Sequence, residues 1–379
     1  MSSGSHSTYV TKFGSRKDFM MHLESMMIAA QEKEEEEELE EETRGHPTEL
    51  KTYYLESNSG LPKVQETGPL RISTIDTSLQ DIKVIRLEYK THSAIFYLDS
   101  ADPRFLLLYT NGVATTTDPL FRLLVDSATD NFDRIWLPTE AQEDISTLSG
   151  NVFRGFGLLF DDLFTPRKTR DLPIGELSMN VSGVSSRRAL HALTKDETLK
   201  RAICYSKIRV ERGNGQLYVA DEIKFNGRII TKAGQSIDDH VNLVEIVRRK
   251  YKGLIEWVER NSLGTKTVEG RTLIEGQAFE LELSREIADL DRFAERLLNS
   301  SKPFRLWGIV NNVSRDTRQV VGIDLHTGDP INLEISPTLI RVYLSKGGCG
   351  NSILRLYVNL QHGFDSETRL NGERKVATE

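Results

Sequence analysis

Asp76, followed at a distance by Glu88-Tyr89-Lys90, stands in an order that could support metal-assisted hydrolysis. An aspartate at a strand end and a glutamate on the next strand can together hold Mg²⁺ or Mn²⁺. A lysine two residues further on lies on the same strand face, because side chains alternate with period two. It could then polarise an attacking water or a phosphate. The same order recurs as Glu211 and then Glu222-Ile223-Lys224. A pattern that occurs twice in one chain is not specific. A strand that simply shows Glu88 and Lys90 to water accounts for it without a metal.

The first of these sets is similar in order and spacing to PD-(D/E)xK nucleases, which makes a metal-dependent nuclease using Asp76, Glu88 and Lys90 the alternative reading. Other reactive residue types have structural explanations at hand. His240 follows Asp238 and Asp239, a trio that could bind metal or share a proton, yet aspartates at a helix start also cap it and complement its dipole. Asp161-Asp162 fits a turn. Arg187 and His191 share a helix face, and Arg355 and His362 fall on an expected strand. Gly347-Gly348-Cys349-Gly350-Asn351-Ser352 is glycine-rich, but a phosphate cradle needs a lysine and a following helix, and a strand is expected there instead.

The most coherent constellation is in the C-terminal part. Arg305 with Trp307, Arg341 with Tyr343, and Arg355 with Tyr357 each repeat at i and i+2, so each pair would share a sheet face. Neighbouring strands would turn them into an arginine–aromatic stripe of the kind that binds oligonucleotides or peptides. The competing reading buries the aromatics in the core. The charge from Lys302 onward, ten basic against eight acidic residues, adds little attraction for phosphate.

Several elements must position these residues. Ser15 to Glu42 lacks glycine and proline, and Phe19, Leu23, Met26, Met27 and Ala30 recur at helical spacing. That face either docks on the protein's own body or binds a partner. Residues 43–69 read as linker, so 1–69 forms an acidic, partly helical or disordered arm. A meander is expected over Ile82–Tyr89, Ala94–Leu98 and Phe105–Tyr109, followed by a helix opened by Thr117-Asp118-Pro119. These give an α+β unit over 70–170. A second, over 171–300, holds a helix from Ser185 to Ile203 and hairpins at Gly213-Asn214-Gly215 and Asn226-Gly227. It also holds a long helix over 236–260, entered through a capping box at Ser236 and Asp239. Five short strands over 301–365, the last at Ile353–Leu360, suggest a small barrel or sandwich. Residues 366–379 read as a disordered tail.

The expected fold class is thus α+β: two mostly antiparallel meander-plus-helix units, a small C-terminal β unit and an acidic arm. Of the net charge of −7, the run from Gln31 to Glu42 carries −8, leaving the rest close to neutral. A non-specific nucleic-acid binder would show a positive excess. Two cysteines, Cys204 and Cys349, cannot form a disulfide framework, and apolar runs fall short of a membrane span. These features point to a cytoplasmic binding or scaffold protein with no cofactor, contacting protein or nucleic acid through its C-terminal unit.

Overall fold

The structure, a computed structural model, describes residues 9–39, 49–58, 60–62, 70–127, 132–165, 174–214, 217–298 and 302–371. The chain begins α1 (Arg16–Leu39), β1 (Lys51–Ser57), β2 (Arg71–Asp76), β3 (Ile82–Tyr89), β4 (His92–Asp99), β5 (Phe105–Thr110), α2 (Ala114–Ser127) and β6 (Phe132–Asp133). It continues α3 (Thr139–Thr147), β7 (Asn151–Asp161), β8 (Glu176–Ser182), α4 (Ser186–Leu193), α5 (Glu197–Lys200), β9 (Tyr205–Asn214), β10 (Leu217–Lys224) and β11 (Arg228–Gly234). Then come α6 (Ile237–Asn261), β12 (Gly264–Val268), β13 (Arg271–Glu275), β14 (Phe279–Glu282) and α7 (Leu290–Leu298). The chain closes with β15 (Leu306–Ser314), β16 (Thr317–Asp324), β17 (Pro330–Ser336), β18 (Leu339–Leu344), α8 (Asn351–Gly363) and β19 (Arg369–Leu370). The class is α+β.

Two compact units are present, and each is assembled from separate stretches of sequence. One comprises Met1–Arg134, Arg212–Glu222 and Gly227–Val244; the other comprises Ile135–Glu211, Ile223–Asn226 and Glu245–Glu379. A linear division at 170 or 300 reproduces neither.

In the first unit the strands lie in the order β2-β3-β4-β5-β1-β11-β10, with β6 beside β1. Period-two alternation sends successive side chains to opposite faces. Phe96 and Leu98 on β4 and Leu106 and Leu108 on β5 meet Leu120, Phe121 and Leu124 of α2. Tyr97 and Tyr109 on the other face meet Phe19, Leu23 and Met27 of α1. The amphipathic N-terminal helix therefore docks on its own body. Each of those three side chains is almost fully buried, worth roughly 1.5–3 kcal/mol apiece. The glutamate side chains beyond α1's buried face lie outside the described residues. Lys51–Ser57, expected in a linker, is instead a central strand buried along its whole length, pairing with β5 and β11. Burial pushes the Lys51 ammonium down to about 8, and it donates to the Glu49 carbonyl at 2.9 Å.

In the second unit β9, β7 and β8 form one run. A separate six-stranded sheet follows the order β15-β16-β17-β18-β14-β19. The four strands β15 to β18 match the expected ones, but the sheet is open and not a barrel. The fifth expected strand, Ile353–Leu360, is wrong: those residues belong to α8, and every described residue of that helix except His362 is buried. The expected helix over Ser185–Ile203 breaks into α4 and α5, because the Asp196 carboxylate accepts from the Thr198 and Leu199 amides and starts a new helix. The β12–β13 hairpin was not anticipated. Residues 366–371, expected in a disordered tail, include β19, which pairs with β14; 372–379 lie outside the described residues. Half of the capping box at the start of α6 is present: Asp239 N–H donates to Ser236 Oγ at 3.3 Å, but the Asp239 carboxylate takes the Ser236 hydroxyl at 2.6 Å while the Ser236 N–H goes to the Tyr218 carbonyl at 3.1 Å. No described helix is long and apolar enough to cross a membrane.

His362 couples this unit to pH. Its Nδ1–H donates to the Leu159 carbonyl at 2.7 Å, its ring lies 4.2 Å from that of Phe225, and burial lowers its pKa from 6.5 to about 4. The unfolded chain therefore binds the extra proton between those two values. Stability should be fully present above about pH 6.5 and decline as pH falls toward 4, by about 1–2 kcal/mol given the ring's remaining water contact. Urea unfolding at pH 7 and pH 4.5 measures this, and His362→Gln should shrink the difference. An equal pH dependence in that variant would rule His362 out as the source.

Candidate functional site

Asp76 and Glu88 are not brought together. In the antiparallel β2–β3 pair Asp76 lies opposite Lys83, while Glu88 lies opposite Arg71. The two carboxylates thus sit at opposite ends, about five residues or roughly 16 Å apart along the strands. Each has its own cation: Asp76 pairs with Lys83, and Glu88 meets Arg86 at 3.0 Å. Lys90 occupies a hairpin turn at φ 52°, its ammonium over the Tyr89 ring. Glu211 of the second set is held by Arg154 in two hydrogen bonds of 2.8 Å, which keep its carboxyl below the usual range. Among the described residues no group of three or more His, Cys, Asp or Glu could hold a metal ion.

His240 does join a carboxylate, but not Asp238 or Asp239. Its Nδ1 lies 2.7 Å from Asp221 Oδ2 and 3.3 Å from Thr231 Oγ1, and its Nε2 lies 2.9 Å from Thr52 Oγ1. Carboxylate, imidazole and hydroxyl stand in the order that nucleophilic catalysis uses. All three side chains are sealed from solvent, so no substrate can reach the hydroxyl. The arrangement instead ties α6 to β1, β10 and β11. Sequence reading missed it because Thr52 and Asp221 are far from His240 along the chain.

The glycine-rich loop does precede a helix, contrary to expectation. Its amides are taken: Gly350 N–H donates to Glu259 at 3.0 Å and Cys349 N–H to Asp329 at 3.2 Å. Carboxylates of the protein itself thus occupy the start of α8, where the helix dipole favours negative charge. Inside the same region, Arg355 forms an ion pair with Asp324, and neither group reaches solvent. Asp324 also accepts from Ser352 Oγ and from the His326 amide. Tyr357 is buried too, its hydroxyl donating to Glu140 at 3.0 Å. Arg355 and Tyr357 therefore stabilise the interior and are removed from any surface stripe.

Three other residues of the expected stripe, Trp307, Arg341 and Tyr343, do share a face. Strand register places Trp307 opposite Ile323, and Ile309 opposite Val321. It carries the second row across Asn332 to Tyr343, and places Glu334 opposite Arg341. Arg305 precedes β15 in a left-handed conformation at φ 54°, so strand alternation does not carry it onto this face. Arg341 donates to Glu280 at 3.0 Å and to Glu334 at 3.1 Å, so its charge is neutralised in place. What the face shows to water is apolar. Trp307 is 54% exposed, Ile309 61%, Val321 52% and Ile323 37%. These are two cross-strand pairs stacked at the open end of the sheet. The opposite face is covered by α7, which packs on β15, β16 and β17.

A profile of the MJECL33-like proteins matches residues 8–378 of this chain. It belongs to that family. A relative from Methanocaldococcus jannaschii, the uncharacterized protein MJECL33, is 28% identical over 365 residues, spanning 86% of this chain and 86% of its own. The family match thus covers both units.

Proposed function

We propose that this member of the MJECL33-like family is an interaction scaffold that works as a pair of identical copies, joined face to face through the open end of the β15–β16 sheet. The observation that carries this reading is the contiguous set of Trp307, Ile309, Val321 and Ile323 on one sheet face, all substantially exposed. Isolated apolar residues on a surface need no explanation, but a contiguous patch marks a contact site.

A second copy fits the chemistry. The patch has no ionised side chain at its centre, so laying it on itself across a two-fold axis brings no like charges together. Its border is polar: Asn311 and Gln319 form the next cross-strand row, and beyond them stand the Glu280–Arg341–Glu334 ion pairs. A dry centre with a polar rim is the usual anatomy of a protein interface. The exposed apolar area is on the order of 500 Å² per copy, against about 800 Å² per partner in a standard interface. Rim contacts from Tyr343 and its neighbours supply the remainder. A nucleic-acid partner is less well served, because Arg341 is paired and Arg355 is buried.

Sedimentation velocity over a wide concentration range tests this. The unaltered chain should sediment as a dimer. Ile309→Lys, which would bury an unpaired ammonium in the contact, should weaken association by about 100-fold or more while leaving the circular dichroism spectrum unchanged. Val184→Lys, at another exposed apolar position, serves as the control and should stay dimeric. A wild-type chain that remains monomeric at every attainable concentration would refute the proposal, as would an Ile309→Lys variant that dimerises normally.

A further inference from the structure

A cleft of 310 Å³ opens in the first unit where α1 passes the ends of β4 and β5. His22 and Met26 of α1 form one wall, Ser93, Ile95 and Tyr97 of β4 another. The third is the turn from β5 into α2, with Asn111, Gly112 and Thr116. Its size lies at the small end of ligand pockets, which run from about 300 to 1,000 Å³. A mononucleoside-sized molecule suits that space and a dinucleotide does not.

The lining is unusual in its charge. No Asp, Glu, Lys or Arg occurs among the described residues that form the cleft. Burial lowers the pKa of His22, its one readily titratable member. Tyr97 hydroxyl accepts the Val10 N–H at 2.9 Å and is hydrogen-bonded to His22 Nε2, also at 2.9 Å. Arg86, which donates to Ser93 Oγ at 3.2 Å, is already paired with Glu88, so an ionised ligand group here would compete for its counter-ion, which is costly. A purely apolar ligand would waste the carboxamide of Asn111 and the hydroxyls of Ser93 and Thr116.

The groups that remain favour a flat, neutral molecule with hydrogen-bonding edges. Tyr9, 39% exposed, and the partly buried His22 offer ring surfaces, and the Met26 thioether packs well against aromatics. Asn111 supplies a donor and an acceptor side by side, the pairing that reads a nucleobase edge.

We propose that this cleft binds an uncharged nucleoside, with its base against the Tyr9 ring and the Met26 thioether and its edge read by Asn111. Isothermal titration of the full chain with adenosine, guanosine, cytidine and uridine, and with each 5′-monophosphate, tests it. At least one nucleoside should bind with a dissociation constant of about 1 mM or tighter, and its monophosphate at least about tenfold more weakly. Asn111→Ala should weaken binding by about tenfold. Ser93→Trp, at an exposed position on the rim, should block binding without changing the melting temperature. No heat with any nucleoside at about 5 mM would overturn the proposal. So would a monophosphate that binds as tightly as its nucleoside, or binding that survives both substitutions.

Discussion

Arg355→Met is expected to cost the folded state about 3–5 kcal/mol, at the upper end of what single substitutions do. The reason is the isolation of its partner. Asp324 is fully buried, and Arg355 is the cation against it. Arg355 also donates through Nε to the Phe304 carbonyl at 2.9 Å and through Nη1 to Asn351 Oδ1 at 3.3 Å. Methionine fills much of the same space, so the loss comes from an uncompensated carboxylate and orphaned acceptors and not from a void. Arg355→Lys keeps the charge but loses the planar fork, and should cost less. The informative variant is Arg355→Met with Asp324→Leu, which removes both charges and should recover most of the loss. Urea unfolding with an unchanged m-value measures each. A single-variant loss under about 1 kcal/mol would show that the pair carries no such weight.

His240→Ala should destabilise the first unit by about 3–4 kcal/mol, combining a cavity with a stranded carboxylate. Asp221 already has one oxygen, Oδ1, without a hydrogen-bond partner, so losing His240 from Oδ2 leaves a buried anion almost bare. Thr52→Val removes only one hydrogen bond and should cost about 1 kcal/mol. That ordering separates a structural cluster from a catalytic one, in which the hydroxyl would be indispensable. Thermal and urea unfolding of both variants give the comparison. Equal losses for His240→Ala and Thr52→Val would contradict the assigned roles.

The elements legible in the sequence are those whose two faces differ. β15 to β17 alternate between α7 and water, and α6 opens on a Ser236 N-cap, so period and punctuation revealed both. α8 failed for the opposite reason. A helix buried on all sides has no polar face to disclose a period of 3.6. Arg355, Asn359 and Gln361 fall at odd-numbered positions among apolar residues, which imitates a strand. β1 hid in the same way: Lys51, Thr52, Glu56 and Ser57 are all buried, so its composition resembled a linker. The candidate site was readable in part. Trp307, Arg341 and Tyr343 do share a face, because period two held on β15 and β18, while Arg305 stands before β15 in a left-handed conformation. The apolar partners of Trp307 lay on β16, and only the register reveals them.

The interleaving of the two units has a hereditary consequence. Each is stitched from three separate stretches of chain, so a single crossover within the coding sequence leaves at least one of them incomplete. Neither can be shuffled out as a cassette by one recombination event. They must pass from ancestor to descendant as one piece, and the family match running unbroken from residue 8 to residue 378 is what such joint inheritance leaves behind.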